Sequence, residues 1–86
     1  MHYVYVLRSE KDGHRYVGIA KDLKQRFGEH QKGKVPATRS RRPFVLMYYE
    51  AHPGIKSARM REVYLKSGWG RTYLTKVERM TFEAKN

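Results

Sequence analysis

The chain has 86 residues and no cysteine, and its 19 lysines and arginines outnumber 8 aspartates and glutamates, for a net charge of +11 at pH 7 and a pI near 10.2. That length predicts one domain over residues 1–86, with a modest core that buries about 60–65% of the unfolded surface. Disulfides and cysteine–zinc sites are excluded, no apolar run approaches the ~20 residues of a membrane span, and the positive charge predicts a polyanionic partner, nucleic acid ahead of any membrane surface.

The N-terminus, Met1-His2-Tyr3-Val4-Tyr5, enters strand-like sequence at once. It lacks the basic region and cleavage site of a signal peptide, so a cytoplasmic location is expected. Residues 3–8 and 14–19 alternate. Val4, Val6, Val17 and Ile19 form one apolar set; Tyr3, Tyr5, Leu7, His14, Tyr16 and Gly18 form the other. Side chains alternate faces along a strand. A hairpin with an even loop therefore places Tyr5 and Tyr16 on one face and all four aliphatics on the other, whereas an odd loop mixes the sets. Register follows the buried face, which favours the even loop, and Asp12-Gly13 supplies a hairpin signal with positive φ.

Asp22 reads as an N-cap, with Gln25 in the capping-box position. The helix it opens runs to about Lys32 and stops at Gly33. Gly28 inside it costs about 1 kcal/mol relative to alanine, for which close packing or close approach to a ligand would be the reason. Leu23 and Phe27 are one i,i+4 pair, Arg26 and His30 another on an adjacent stripe. Residues 32–42 form a loop with five cations, Lys32, Lys34, Arg39, Arg41 and Arg42. With Thr38 and Ser40 among them, phosphate contacts are natural. Phe44–Tyr49 is a strand apolar on both faces, hence well covered, and His52-Pro53-Gly54 breaks it. A second helix is expected from about Ser57 to Ser67, stopped by Gly68. A third is expected from Arg71 to Met80 with Leu74, Val77 and Met80 as its apolar edge. The order β-β-α-β-α-α describes an α+β domain, a small three-stranded antiparallel sheet flanked by helices.

Five side chains stand out chemically. A free tyrosine titrates near 10, so Tyr5 or Tyr16 acts as a base only with local help from cations such as Arg26 and His30. Arg26 offers a guanidinium fork for phosphate oxygens. His30 could relay a proton or orient Tyr5. The four histidines lack zinc-ligand spacing. Glu62 shares a helix side with Ala58 and Leu65, an unusual place for a solvated carboxylate. It suits a single hard-metal ligand, against the plainer reading of an i,i+4 pair with Lys66.

Tyr5, Tyr16, Arg26, His30 and Glu62 occur in this order around two strands, a helix, a third strand and a helix. With the segments Asp22–Arg26, Arg42-Pro43-Phe44 and Tyr64–Arg71, this pattern resembles the GIY-YIG nuclease family, in its small single-domain bacterial form. The first tripeptide here is Val-Tyr-Val and the second Tyr-Val-Gly; both keep the tyrosine. Many members carry a late asparagine, but the only one here is Asn86, and that role is not carried over. The resemblance implies a metal-dependent endonuclease acting on DNA, with Tyr5 as the proton acceptor and Tyr16 holding water or phosphate. It places Arg26 on the developing charge, and Glu62 on one Mg²⁺ or Mn²⁺ ion held weakly without substrate. No second domain that reads bases is expected, so selection would rest on DNA shape (branched, nicked or damaged duplexes, in repair or recombination) or on a protein partner. The alternative is a non-catalytic nucleic-acid-binding module. Glu62 separates the two, because only a metal-dependent nuclease needs that carboxylate.

Overall fold

The computed structural model describes residues 1–82. Strands β1 (His2–Ser9), β2 (Arg15–Ala20) and β3 (Phe44–His52) form an antiparallel sheet in the order β2-β1-β3. Helix α1 (Leu23–Gln31) follows the hairpin, a 3₁₀ turn (Arg39–Arg41) precedes β3, and α2 (Ile55–Lys66) and α3 (Gly68–Phe82) close the described chain. This is the expected α+β architecture.

The hairpin has the even register. β1 and β2 pair Val4 with Ile19, Val6 with Val17, Tyr5 with Gly18 and Leu7 with Tyr16, and end at Arg8–Arg15, which leaves residues 9–14 between the last pair. The aliphatic set accordingly faces α2 and α3, where Val4, Val6, Val17 and Met47 bury against Ala58, Leu65 and Leu74. Each such fully buried Val or Leu contributes roughly 1.5–3 kcal/mol. The aromatic set faces α1, where Tyr5, Leu7 and Phe44 pack with Tyr16, Leu23 and Phe27. Only Gly13 of the Asp12-Gly13 pair takes a positive φ, +75°. The turn is closed instead by Ser9, whose hydroxyl accepts from the Lys11 and Asp12 amides at 3.1 and 3.2 Å.

Asp22 caps α1 as expected, accepting the Gln25 amide at 3.0 Å. The capping box is half-made, because the Gln25 side chain donates to Glu29 rather than back to the cap. Gly33 ends the helix region at φ +77°. Nothing lies within 4 Å of where a Gly28 side chain would be, so packing does not explain that glycine.

Three expectations are corrected. β3 runs to His52 and is an edge strand, so it is not well covered: Leu46 is 37% and Tyr49 55% exposed. An irregularity opposite Val6 and Leu7 lets β3 place Met47 in the aliphatic core. α2 begins at Ile55, and Gly68 opens α3 rather than simply closing α2. Met80 is 76% exposed, and the buried edge of α3 is made by Gly70, Leu74, Val77 and Phe82. Gly70 sits where any side chain would collide with the Tyr64 carbonyl and the Leu65 backbone. The Gly-Trp-Gly stretch thus brings α3 against the end of α2. Arg8 and Arg15 both reach Glu78 at 2.9 Å and tie α3 to the hairpin.

Replacing Gly70 with alanine should destabilise the fold by about 1–3 kcal/mol, the usual cost of overpacking. Gly28→Ala should stabilise it by up to about 1 kcal/mol. Urea denaturation midpoints at unchanged m-value check both.

Candidate active site

Tyr5 is fixed from all sides. It lies mid-strand in the central strand, 1% exposed, and its phenol passes directly over Gly18, where a side-chain carbon would stand 2.6 Å from the Tyr5 hydroxyl. Its hydroxyl is 2.9 Å from His30 Nε2. His30 is fully buried, not a surface residue, and is delivered by the last turn of α1. The His30 ring lies 5.8 Å from that of Tyr5, 5.1 Å from Tyr16 and 6.1 Å from Phe44. Its other nitrogen, Nδ1, is 2.7 Å from the hydroxyl of Thr38.

Burial pushes the Tyr5 pKa up to about 12, because the phenolate loses hydration. The approach of the Arg26 guanidinium to the phenol oxygen pulls the other way, while Tyr16 and the Glu62 carboxylate push it higher. Burial, then the positive Arg26, lowers the His30 pKa below its ordinary value. At neutral pH the pair is therefore a neutral phenol hydrogen-bonded to a neutral imidazole.

Arg26 lies half-exposed beside this pair and is ion-paired with Glu29 at 2.9 Å. Glu62 sits half-buried between Ala58 and Leu65 and also makes the plainer contact, a 3.1 Å pair with Lys66. No group of three His, Cys, Asp or Glu side chains able to hold a metal occurs among the described residues. One half-buried carboxylate fits a hard divalent ion that keeps most of its shell as water and phosphate oxygens, and does not fit a tight resident site.

The loop of residues 32–42 is built rather than loose. Ser9 donates to the Arg41 carbonyl at 2.6 Å, Lys11 Nζ to the Ser40 carbonyl at 3.1 Å, and the Glu10 amide to the Pro43 carbonyl at 2.8 Å. Arg39 and Arg42 donate through Nε to the Gly33 and Arg39 carbonyls, both at 2.9 Å. Lys32 and Lys34 are exposed. Thr38 corrects the expectation of a phosphate contact: its hydroxyl turns inward to His30. A cleft of about 610 Å³ opens beside Tyr16, walled by His14, Arg15, Arg41, Lys66 and Arg71. Of these, only Arg41 stood among the sequence candidates. Lys66 and Arg71 flank the Gly-Trp-Gly stretch, but only the α2–α3 packing turns them toward Tyr16. Asn86 lies outside the described residues.

A model of the GIY-YIG catalytic domain matches residues 1–74. The chain belongs to the GIY-YIG family. It is 35% identical over 83 residues to a UPF0213 protein of Streptococcus sanguinis, covering 95% of this chain and 94% of that one. It is 37% identical over 67 residues to a UPF0213 protein of Staphylococcus saprophyticus, covering 77% and 80%. The solution structure of the UPF0213 protein BH0048 from Bacillus halodurans aligns over 99% of this chain and 98% of that one, at 31% identity and a TM-score of 0.56. The GIY-YIG domain is a nuclease domain and implies DNA as substrate, with divalent metal ions in general use. No described helix is long and apolar enough to cross a membrane. In this GIY-YIG chain the glycine of the second tripeptide has a physical reason: Gly18 is the floor on which the Tyr5 phenol lies.

Because folding holds the His30 pKa below about 6.5, its unfolded value, the unfolded chain binds the extra proton first as pH falls. Stability present above pH 6.5 is then lost on further acidification, down to the lowered folded pKa. Urea unfolding at pH 7.5 and 5.5 should show this loss, and His30→Gln should lose less between the same two pH values than the parent chain does.

Proposed function

We propose that this GIY-YIG chain is a metal-dependent endonuclease that hydrolyses DNA phosphodiester bonds. The observation that carries the reading is the buried Tyr5–His30 hydrogen bond, placed beside Arg26 on the face that also holds Tyr16. A phenol with so high a pKa is a poor standing base. Its route to activity is to pass its own proton to His30 Nε2 as it takes one from the attacking water. The water oxygen then bonds to phosphorus and the P–O bond to the leaving oxygen breaks, with that oxygen protonated from solvent. Tyr16 positions the water or a phosphate oxygen. Arg26, exchanging Glu29 for the substrate, meets the charge growing on the non-bridging oxygens. Glu62 would hold the divalent ion, Mg²⁺ or Mn²⁺, whose Lewis acidity would favour departure of the leaving oxygen.

The cationic cleft beside Tyr16 and the braced loop with Arg39, Arg41 and Arg42 would carry the backbone on either side of the cut. Their arginines and lysines touch phosphates and read no bases. This supports selection by DNA shape, as in branched, nicked or damaged duplexes in repair or recombination, in a cytoplasmic protein aided by a targeting partner. The non-catalytic binding module remains the competing reading. A Mg²⁺-dependent cleavage assay on branched, nicked, duplex and single-stranded DNA separates the two.

Glu62→Ala should abolish cleavage while leaving DNA binding in EDTA nearly intact; equal cleavage by variant and parent would remove Glu62 from the reaction. Tyr5→Phe should lower turnover by about 10²–10⁴, measured in single-turnover reactions, and cost about 1–3 kcal/mol of stability, because the ring is kept but the buried His30 Nε2 loses its partner. Binding should weaken steeply with salt, by about 0.9 in the log–log slope per neutralised phosphate. Removing Arg39, Arg41 and Arg42 together should flatten that slope by roughly one to three, and removing Lys66 and Arg71 by roughly one to two. Unchanged slopes in fluorescence-anisotropy titrations would place the DNA elsewhere.

A further inference from the structure

Thr38 is among the most deeply buried polar residues of the chain, 1% exposed, although it sits in a loop crowded with cations. Its hydroxyl oxygen is 2.7 Å from His30 Nδ1 and 3.4 Å from the Val35 carbonyl. The opposite edge of the same imidazole is 2.9 Å from the Tyr5 hydroxyl. Three buried groups thus form one chain, Tyr5–His30–Thr38, ending on a backbone carbonyl.

A neutral imidazole carries one N–H, and heavy-atom positions alone do not say which nitrogen holds it. The count of donors does. If Thr38 donated to Nδ1, Nε2–H would point at the Tyr5 oxygen, and the buried Tyr5 hydroxyl proton would have no acceptor among the described residues. A buried donor left unmade costs about 1–3 kcal/mol. In the other direction Thr38 donates to the Val35 carbonyl, Nδ1–H donates to Thr38, and Nε2 is free to accept the Tyr5 proton. The Tyr5 and His30 donors then each have a partner, the Thr38 hydroxyl shares the Val35 carbonyl at 3.4 Å, and the Tyr5 oxygen keeps its lone pairs toward Arg26. The Val35 carbonyl also receives the Thr38 and Arg39 amides at 3.1 and 3.0 Å, which holds the loop in the conformation that presents the Thr38 hydroxyl.

We propose that Thr38 is a positioning residue that fixes His30 as its Nδ1–H tautomer, so that Nε2 is the acceptor for the Tyr5 proton. The consequence for turnover rests on the nuclease reading above; the tautomer does not. Thr38 touches neither the substrate nor the reacting atoms and acts through His30.

The test uses the full chain labelled with ¹⁵N at histidine. Imidazole nitrogen–carbon-proton correlation spectra at pH 8, where His30 is neutral, report which nitrogen bears hydrogen. The expected result is a protonated Nδ1 and an unprotonated Nε2 in the parent chain and in Thr38→Ser, with loss of that preference in Thr38→Val, which keeps the shape and removes the hydroxyl. Turnover in the Mg²⁺-dependent assay should fall about 10–100-fold in Thr38→Val and stay within about threefold of the parent in Thr38→Ser, with circular dichroism confirming that both fold. A protonated Nε2 in the parent chain would overturn the proposal without need of any variant. So would a folded Thr38→Val chain that keeps both the Nδ1–H form and full turnover. If the parent cleaves no DNA but the spectra shift as expected, the hydrogen-bond assignment stands and the nuclease reading falls.

Discussion

A phenol in the middle of the central strand must find a polar partner without water, and the Tyr5–His30 hydrogen bond answers that constraint. Burying a hydroxyl or an imidazole unpaired costs kilocalories, and here each is the other's remedy. The bond links helix α1 to the sheet from the middle of β1, and Gln31 adds a second link by exchanging hydrogen bonds with the Phe44 backbone of β3 at 3.0 and 2.7 Å. The Tyr5–His30 bond requires that the hairpin be in its even register, that residue 18 have no side chain, and that the loop after α1 return far enough to satisfy the other imidazole nitrogen. Local geometry over more than thirty residues converges on it, which makes the chemistry of the site and the specification of the fold the same problem.

The two faces of the sheet divide the labour. The aliphatic face, closed by α2 and α3, holds the aliphatic core, with the polar ends of Tyr48 and Glu50 paired at its margin to Tyr73 and Arg61. Its tightest feature is the Gly70 contact, where helix backbones meet directly. The aromatic face under α1 carries the buried Tyr5–His30 pair. The phenol and imidazole thus sit in a low-dielectric setting on the α1 side, while Glu62 is carried by α2. The tie from Arg8 and Arg15 to Glu78 joins the layers at the end of the hairpin.

Not every cation is free surface charge. Several cations already serve the protein: Arg26 holds Glu29, Lys66 holds Glu62, Arg15 holds Glu78, and Arg39 and Arg42 brace the loop through carbonyls. Such exposed pairs are individually weak, about 0–1 kcal/mol, so a phosphate can displace the carboxylates at little cost. The pairs at Arg26 and Glu62 hold side chains in place and leave them exchangeable.

Periodicity was enough to read the architecture. Alternation of Val4, Val6, Val17 and Ile19 against the tyrosines determined the hairpin register, since a one-residue slip would invert every side chain. Asp22 and Gly33 marked the ends of α1 because capping is a local, short-range requirement. The candidates Tyr5, Tyr16, Arg26, His30 and Glu62 are singled out together by the resemblance to the GIY-YIG order, and of these the tertiary structure brings Tyr5, Tyr16 and His30 into one buried cluster. What pattern could not supply was partnership. Whether His30 lay inside or outside, whether Thr38 faced phosphate or imidazole, and whether Lys66 and Arg71 faced Tyr16 all depend on long-range packing of elements that have no sequence proximity. The cover expected over both faces of β3 and the place of Met80 on the apolar edge of α3 fail for the same reason: an apolar residue says that burial is favourable, but only the assembled layers decide which apolar surface finds a partner.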